Sequence, residues 1–153
     1  AAAVTAGIGH GGIEAISITA VSLALSLVFA LCWNAGDTDA LLKLAGSAET
    51  AQTVAASLGK YTVGYCLLAC LERVSAMLLH ISLSVFVFAA ARSRAKRGYL
   101  AFAIGLHAIF DMPAALYQFG YVKQLFPVEL WLAVCALYAL RSARKCYLEE
   151  CDA

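Results

Sequence analysis

Apolar residues fill four stretches of the chain, each interrupted by a few polar positions at helical spacing. The first, IEAISITAVSLALSLVFALCW, predicts helix A from about Ile13 to Trp33, ending in an interfacial Trp. The glycines just before it (Gly7, Gly9, Gly11 and Gly12) either let backbones pack closely or break the helix. Residues 34–60 form the longest connection. There Asn34, Gly36, Asp37, Thr38 and Asp39 predict a turn with an N-cap, and ALLKLAG predicts a short amphipathic helix on the membrane surface. Its charges are of both signs: Asp37, Asp39, Lys43, Glu49 and Lys60. Helix B is expected over about Tyr61–Ala91, roughly 45 Å long at 1.5 Å per residue. That exceeds a hydrocarbon core of roughly 30 Å, so the helix must tilt, project or bend. Helix C follows over about Gly98–Tyr121, with Pro113 loosening it just after Asp111. Helix D, over about Pro127–Leu140, is short.

Composition agrees with the pattern. The 153 residues are 63% hydrophobic and only 14% charged, against roughly 25% charged in soluble domains. The expected fold is an all-α polytopic transmembrane bundle: about four spans (13–33, 61–91, 98–121 and 127–140), a short interfacial helix, and one domain by length. The opening AAAVTAGIGHGG has no initiator Met and no charged n-region, so it reads as a piece of a longer chain with helices upstream. Arg92, Arg94, Lys96 and Arg97 form a basic loop, and Arg141, Arg144 and Lys145 follow helix D. By the positive-inside rule, both loop 92–97 and the C-terminus are expected in the cytoplasm, with residues 34–60 outside. Lipid is the expected surrounding partner. The net charge of +1 carries no argument for nucleic acid, and no nucleic-acid partner is expected. The six cysteines lack zinc-ribbon spacing, and those in the spans read as small apolar filler.

Ionisable residues inside the spans are the informative feature. Each costs roughly 2.5–3.5 kcal/mol at membrane depth on insertion scales, so several in one small chain call for a common cause. His10 and Glu14 are four apart, as are His107 and Asp111, which places each pair on one helix face. Arg73 and His80 are seven apart, again one face, with Glu72 beside it. Measured at 1.5 Å per residue, His80 lies about 18 Å from Arg92 and His107 about 15 Å from Arg97, both near mid-membrane. Glu14, about 28 Å from Trp33, falls nearer the cytoplasmic leaflet. Three stripes can therefore meet in one polar site.

Imidazoles and carboxylates together suit a divalent metal, zinc foremost, with one position left open for water. His10, His80, His107 and Asp111 are the candidate ligands, Asp111 alternatively orienting an imidazole. Glu14 is the candidate general base, its carboxyl in apolar surroundings. Without metal, Glu14 would activate water directly and the histidines would stabilise the oxyanion. Glu72 and Arg73 read as structural or orienting residues, with long side chains that can reach the interface.

GIGHGGIEA (7–15), ERVSAMLLHISLS (72–84) and HAIFDMPAA (107–115) resemble the three signature segments of the YhfC family of intramembrane metalloproteases. That family is similar to the wider group of CAAX-prenyl-type and bacteriocin-processing membrane proteases. The group's plan is a glutamate motif, a helix with one His, then His-x-x-x-Asn/Asp. On that plan Glu14 matches the first motif, His80 the second, His107 with Asp111 the third, and Glu72–Arg73 the ER pair ahead of the His. The departure is in the first motif, where the group commonly has Glu-Glu with a following Arg and this chain has His10 and a single Glu14. The resemblance implies a peptidase of a bacterial plasma membrane acting on a peptide or membrane-protein substrate.

The expected function is thus peptide-bond hydrolysis in or beside the membrane, with Glu14, His80, His107 and Asp111 as the catalytic set and His10 assisting. Three alternatives stand beside it. His80 and His107 could be the axial pair of a b-type haem. The His and acid residues could relay protons or metal in a transporter. Or the chain could be a non-catalytic scaffold relative of the protease group.

Overall fold

A computed structural model describes residues 1–59 and 61–151, with the side chains of Glu150 and Cys151 excepted; Lys60 and the Cys151 thiol of the sequence reading lie outside it. Among the described residues the fold is all-α. Its helices are α1 (Ala2–Glu14), α2 (Val21–Ala35), α3 (Thr38–Ala45), α4 (Ala48–Leu58), α5 (Val63–Arg92), α6 (Gly98–Gln118) and α7 (Leu125–Cys151). A π-helical segment, Ala15–Ala20, joins α1 to α2, and a 3₁₀ turn, Arg94–Lys96, precedes α6. Four helical stretches are long and apolar enough to cross a membrane: Ala2–Ala35, Val63–Arg92, Arg94–Gln118 and Leu125–Glu149.

The first span starts at Ala2, eleven residues before the expected Ile13. A glycine-rich opening disfavours helix in water, where exposed backbone is entropically costly. Here Ala3, Gly7 and Gly11, spaced by four, are the buried residues of α1. They form a small-residue face that brings one backbone close to another. A Cβ on Gly7 would stand 2.5 Å from Ile81 Cα, and one on Gly11 would stand 3.2 Å from His80 Cβ. Gly9 and Gly12 point to open space.

The chain divides into two compact units, Ala1–Ile13 with Leu68–Ala153, and Glu14–Leu67. In the first, Leu79, Leu83, Val85 and Phe86 of α5 pack with Ala103 and Phe110 of α6 and with a seam along α7. That seam is Val128, Leu132, Ala136, Ala139, Ala143 and Cys146, at spacings of three and four. In the second unit Phe29, Leu41 and Ala51 join α2, α3 and α4. Asp37 caps α3 as its sequence position predicts, its Oδ1 accepting from the Ala40 N–H at 2.9 Å. The 34–60 connection also carries α4, which Ser47 caps through the Thr50 N–H at 3.1 Å.

Candidate active site

α1, α5 and α6 each contribute one imidazole. His10 and His80 are stacked, with ring centroids 4.8 Å apart and planes 23° from parallel. His107 meets His80 edge-on at 5.3 Å and 73°. His80 is therefore the middle ring of three, and it is buried, 6% exposed. The Gly7–Gly11 face makes this possible. With no Cβ at Gly11, α1 approaches α5 at the level of His80 itself, so that His10 reaches the ring from the same helix.

His10, His80 and His107 line a cavity of about 170 Å³ with Leu83, Ser84, Val87, Ala103 and Ile104. Its walls are apolar apart from Ser84 and the imidazoles, so a polar group entering would find its partners among the rings. Behind the cavity, His107 Nδ1 lies 2.7 Å from Asp111 Oδ2 one turn on along α6. This contact fixes the proton on Nδ1 when the ring is neutral, leaving Nε2 as the acceptor. Pro113 lies inside α6 two residues past Asp111; lacking an N–H, it leaves the Ile109 carbonyl without its usual helical donor.

Glu14 is the last residue of α1, placed by its own helix one turn after His10. One ligand atom from each of His10, Glu14 and His80 lies within 4.8 Å of the others. Immediately after Glu14 the helix widens into the π-helical segment, a device frequent at functional sites.

The remaining expected residues are further along α5. Glu72 and Arg73 form an ion pair with each other, and Arg73 is seven residues from His80. The polar stripes of the sequence do not single out one further acid. Glu129, in the second turn of α7, is only 3% exposed, and its Oε2 has no hydrogen-bond partner among the described residues. A lone Glu in the apolar run FPVELWLAV was the available signal.

The family model described as YhfC intramembrane metalloprotease matches residues 1–132, which contain every residue named in this site. The chain belongs to the YhfC family. It is 37% identical over 131 residues to a protein of Bacillus subtilis (strain 168) described as uncharacterized membrane protein YhfC. That alignment takes in 85% of this chain and 50% of the relative, so the chain spans about half the length of the curated YhfC protein it matches. No solved structure matches it. The family's description supports a peptidase with a divalent metal, and the His10–Glu14–His80 group offers a donor set of the right chemistry.

Proposed function

We propose that this chain carries the hydrolytic site of an intramembrane metallopeptidase acting on a peptide or membrane-protein substrate. The observation that carries the reading is the contiguous row of three imidazoles from three helices, lining one cavity and flanked by a carboxylate at each end. Their donor chemistry fits a divalent cation of the zinc type: two imidazoles and a carboxylate from His10, His80 and Glu14 would hold it. Bound there, the cation would supply Lewis-acid polarisation and a lowered water pKa.

The chain's own groups handle the protons. Asp111 holds a proton on Nδ1 of His107, so Nε2 accepts the proton that water loses as its oxygen bonds to the substrate's carbonyl carbon. Asp111 then stabilises the resulting imidazolium. When the C–N bond breaks, the same Nε2 returns its proton to the departing amine. The apolar side chains of Leu83, Val87, Ala103 and Ile104 lower the local dielectric beside the rings and so strengthen each polar contact. The orientation expected from the basic residues belongs to this reading: loop 92–97 and the C-terminus in the cytoplasm of a bacterial cell.

The rival haem reading is less well supported. The cavity of about 170 Å³ is smaller than the roughly 300–1,000 Å³ of pockets for drug-sized ligands, and a tetrapyrrole needs more still.

The test is elemental analysis and peptidase assay of the full-length protein in detergent. One divalent metal per chain is expected in the wild type, lost in His80→Ala and in Glu14→Gln. Asp111→Asn should keep the metal and lose about 10–100-fold in rate, the usual cost of losing an orienting partner. Metal retained in full by both ligand variants, or a Soret band in the wild type, would overturn the reading.

A further inference from the structure

A second cavity, of about 290 Å³, lies between α5, α6 and α7, with Phe86, Tyr99, Phe102, Ser142, Lys145 and Glu149 in its lining. It shares no lining residue with the imidazole cavity. It sits where the apolar runs stop. Phe86 is within two turns of Arg92, the last residue of α5, Tyr99 is in the first turn of α6, and Lys145 lies beyond Leu140 on α7.

Three aromatic rings form one side. Phe86 is buried, 3% exposed. It meets Phe102 edge-on at 5.2 Å and 90° and Tyr99 at 5.7 Å and 51°. Tyr99 and Phe102, three apart, lie on one face of α6. Ring faces are electronegative and attract a cation, more strongly where water is partly removed.

α7 supplies the other side with two opposite charges. Lys145 and Glu149 are four apart and share a face, separated by about 6 Å of helix axis. Lysine ahead of glutamate is the weaker order for a helical pair, and among the described residues no ion pair joins them. Ser142, three residues before Lys145, adds a hydroxyl on the same face.

A ligand that answers these features has a phosphate for Lys145 and Ser142 and, one short link away, a cation for Glu149 and the rings. A primary ammonium fits better than a quaternary one, because only N–H groups can donate to the Glu149 carboxylate. The volume equals about ten waters at ~30 Å³ each, room for such a group without acyl chains. The position at the end of the apolar runs is where lipid headgroups lie.

We propose that this cavity binds the phosphoethanolamine headgroup of a membrane phospholipid, its phosphate on Lys145 and Ser142 and its ammonium between Glu149 and the rings of Phe86, Tyr99 and Phe102. The site does not depend on the metallopeptidase reading.

The experiment is native mass spectrometry of the full-length protein, offered equal amounts of phosphatidylethanolamine, phosphatidylcholine and phosphatidylglycerol with identical acyl chains. The wild type is expected to retain one phosphatidylethanolamine about 10-fold over either competitor, the effect of one charge-assisted contact. Glu149→Gln should bring phosphatidylethanolamine down to the level of phosphatidylcholine. Lys145→Ala should weaken both about 10-fold. Lys145 and Glu149 are exposed, so both variants should fold. Phe102→Leu, which keeps apolar bulk without the ring, should weaken phosphatidylethanolamine and leave phosphatidylglycerol unchanged. Equal retention of the three lipids by the wild type would overturn the proposal, as would a preference for phosphatidylglycerol or a pattern unchanged in the Lys145 and Glu149 variants. Tighter retention in Lys145→Ala would also overturn it, since the lysine's own ammonium would then be the cation on the rings. Soluble phosphoethanolamine tests the source of the group: binding as tight as that of the lipid would overturn the assignment to a membrane phospholipid.

Discussion

Two glycines on one turn of α1 have opposite surroundings. A methyl on Gly7 would meet the Ile81 backbone at 2.5 Å, whereas one on Gly9 would meet nothing. Gly7→Ala is expected to cost about 1–3 kcal/mol, the usual penalty of overpacking a site that cannot yield. Gly9→Ala should be neutral or gain roughly 0.5–1 kcal/mol from reduced backbone freedom. Unfolding by titration with dodecyl sulfate, followed by circular dichroism, measures both. At this scale the candidate site is readable wherever an ionisable residue breaks an apolar run: His10, Glu14, His80, His107 and Asp111 all announce themselves by the cost of their placement. What the sequence leaves open is which partners they choose. The stacking of His80 between two rings depends on how close α1 comes, and that depends on which glycines face α5. Glu129 obeys the same rule as the histidines. It is harder to read because it has no second polar residue at helical spacing to form a stripe.

At the scale of elements, α7 shows why boundaries are harder to read than faces. Arg141, Arg144 and Lys145 end the hydrophobic run, which predicts a helix end at Leu140. The helix continues to Cys151, because Arg and Lys are good helix formers and only the lipid-facing pattern stops at them. Its start at Leu125 places Pro127 in the first turn, where a missing N–H costs nothing. α4 is hard to read from hydropathy for a related reason: its packed stripe, Ala51, Val54, Ala55 and Leu58, is short and built half of alanine. The α7 seam supports a contrast between neighbours. Ala139 is fully buried and Leu137 is 52% exposed. Ala139→Leu should destabilise the protein by about 1–3 kcal/mol, while Leu137→Ala, on the exposed side of α7, should have little effect on the same unfolding curve.

For the whole molecule, the basic loop gives the orientation its test. Ser93→Cys in an otherwise cysteine-free protein should react with a membrane-impermeant maleimide only after the cells are opened, if loop 92–97 faces the cytoplasm. Labelling of intact cells would reverse the topology. A further consequence follows from the length of α5. Thirty residues extend about 45 Å, and a bilayer accommodates the surplus by letting the helix lean. His80 leans with it, whereas α6, at 21 residues, has far less surplus to absorb. Acyl-chain length should therefore tune the turnover of reconstituted protein. In liposomes of di-14:1 to di-22:1 phosphatidylcholine, activity should peak at one chain length and fall on either side, since only one lean brings the rings into line.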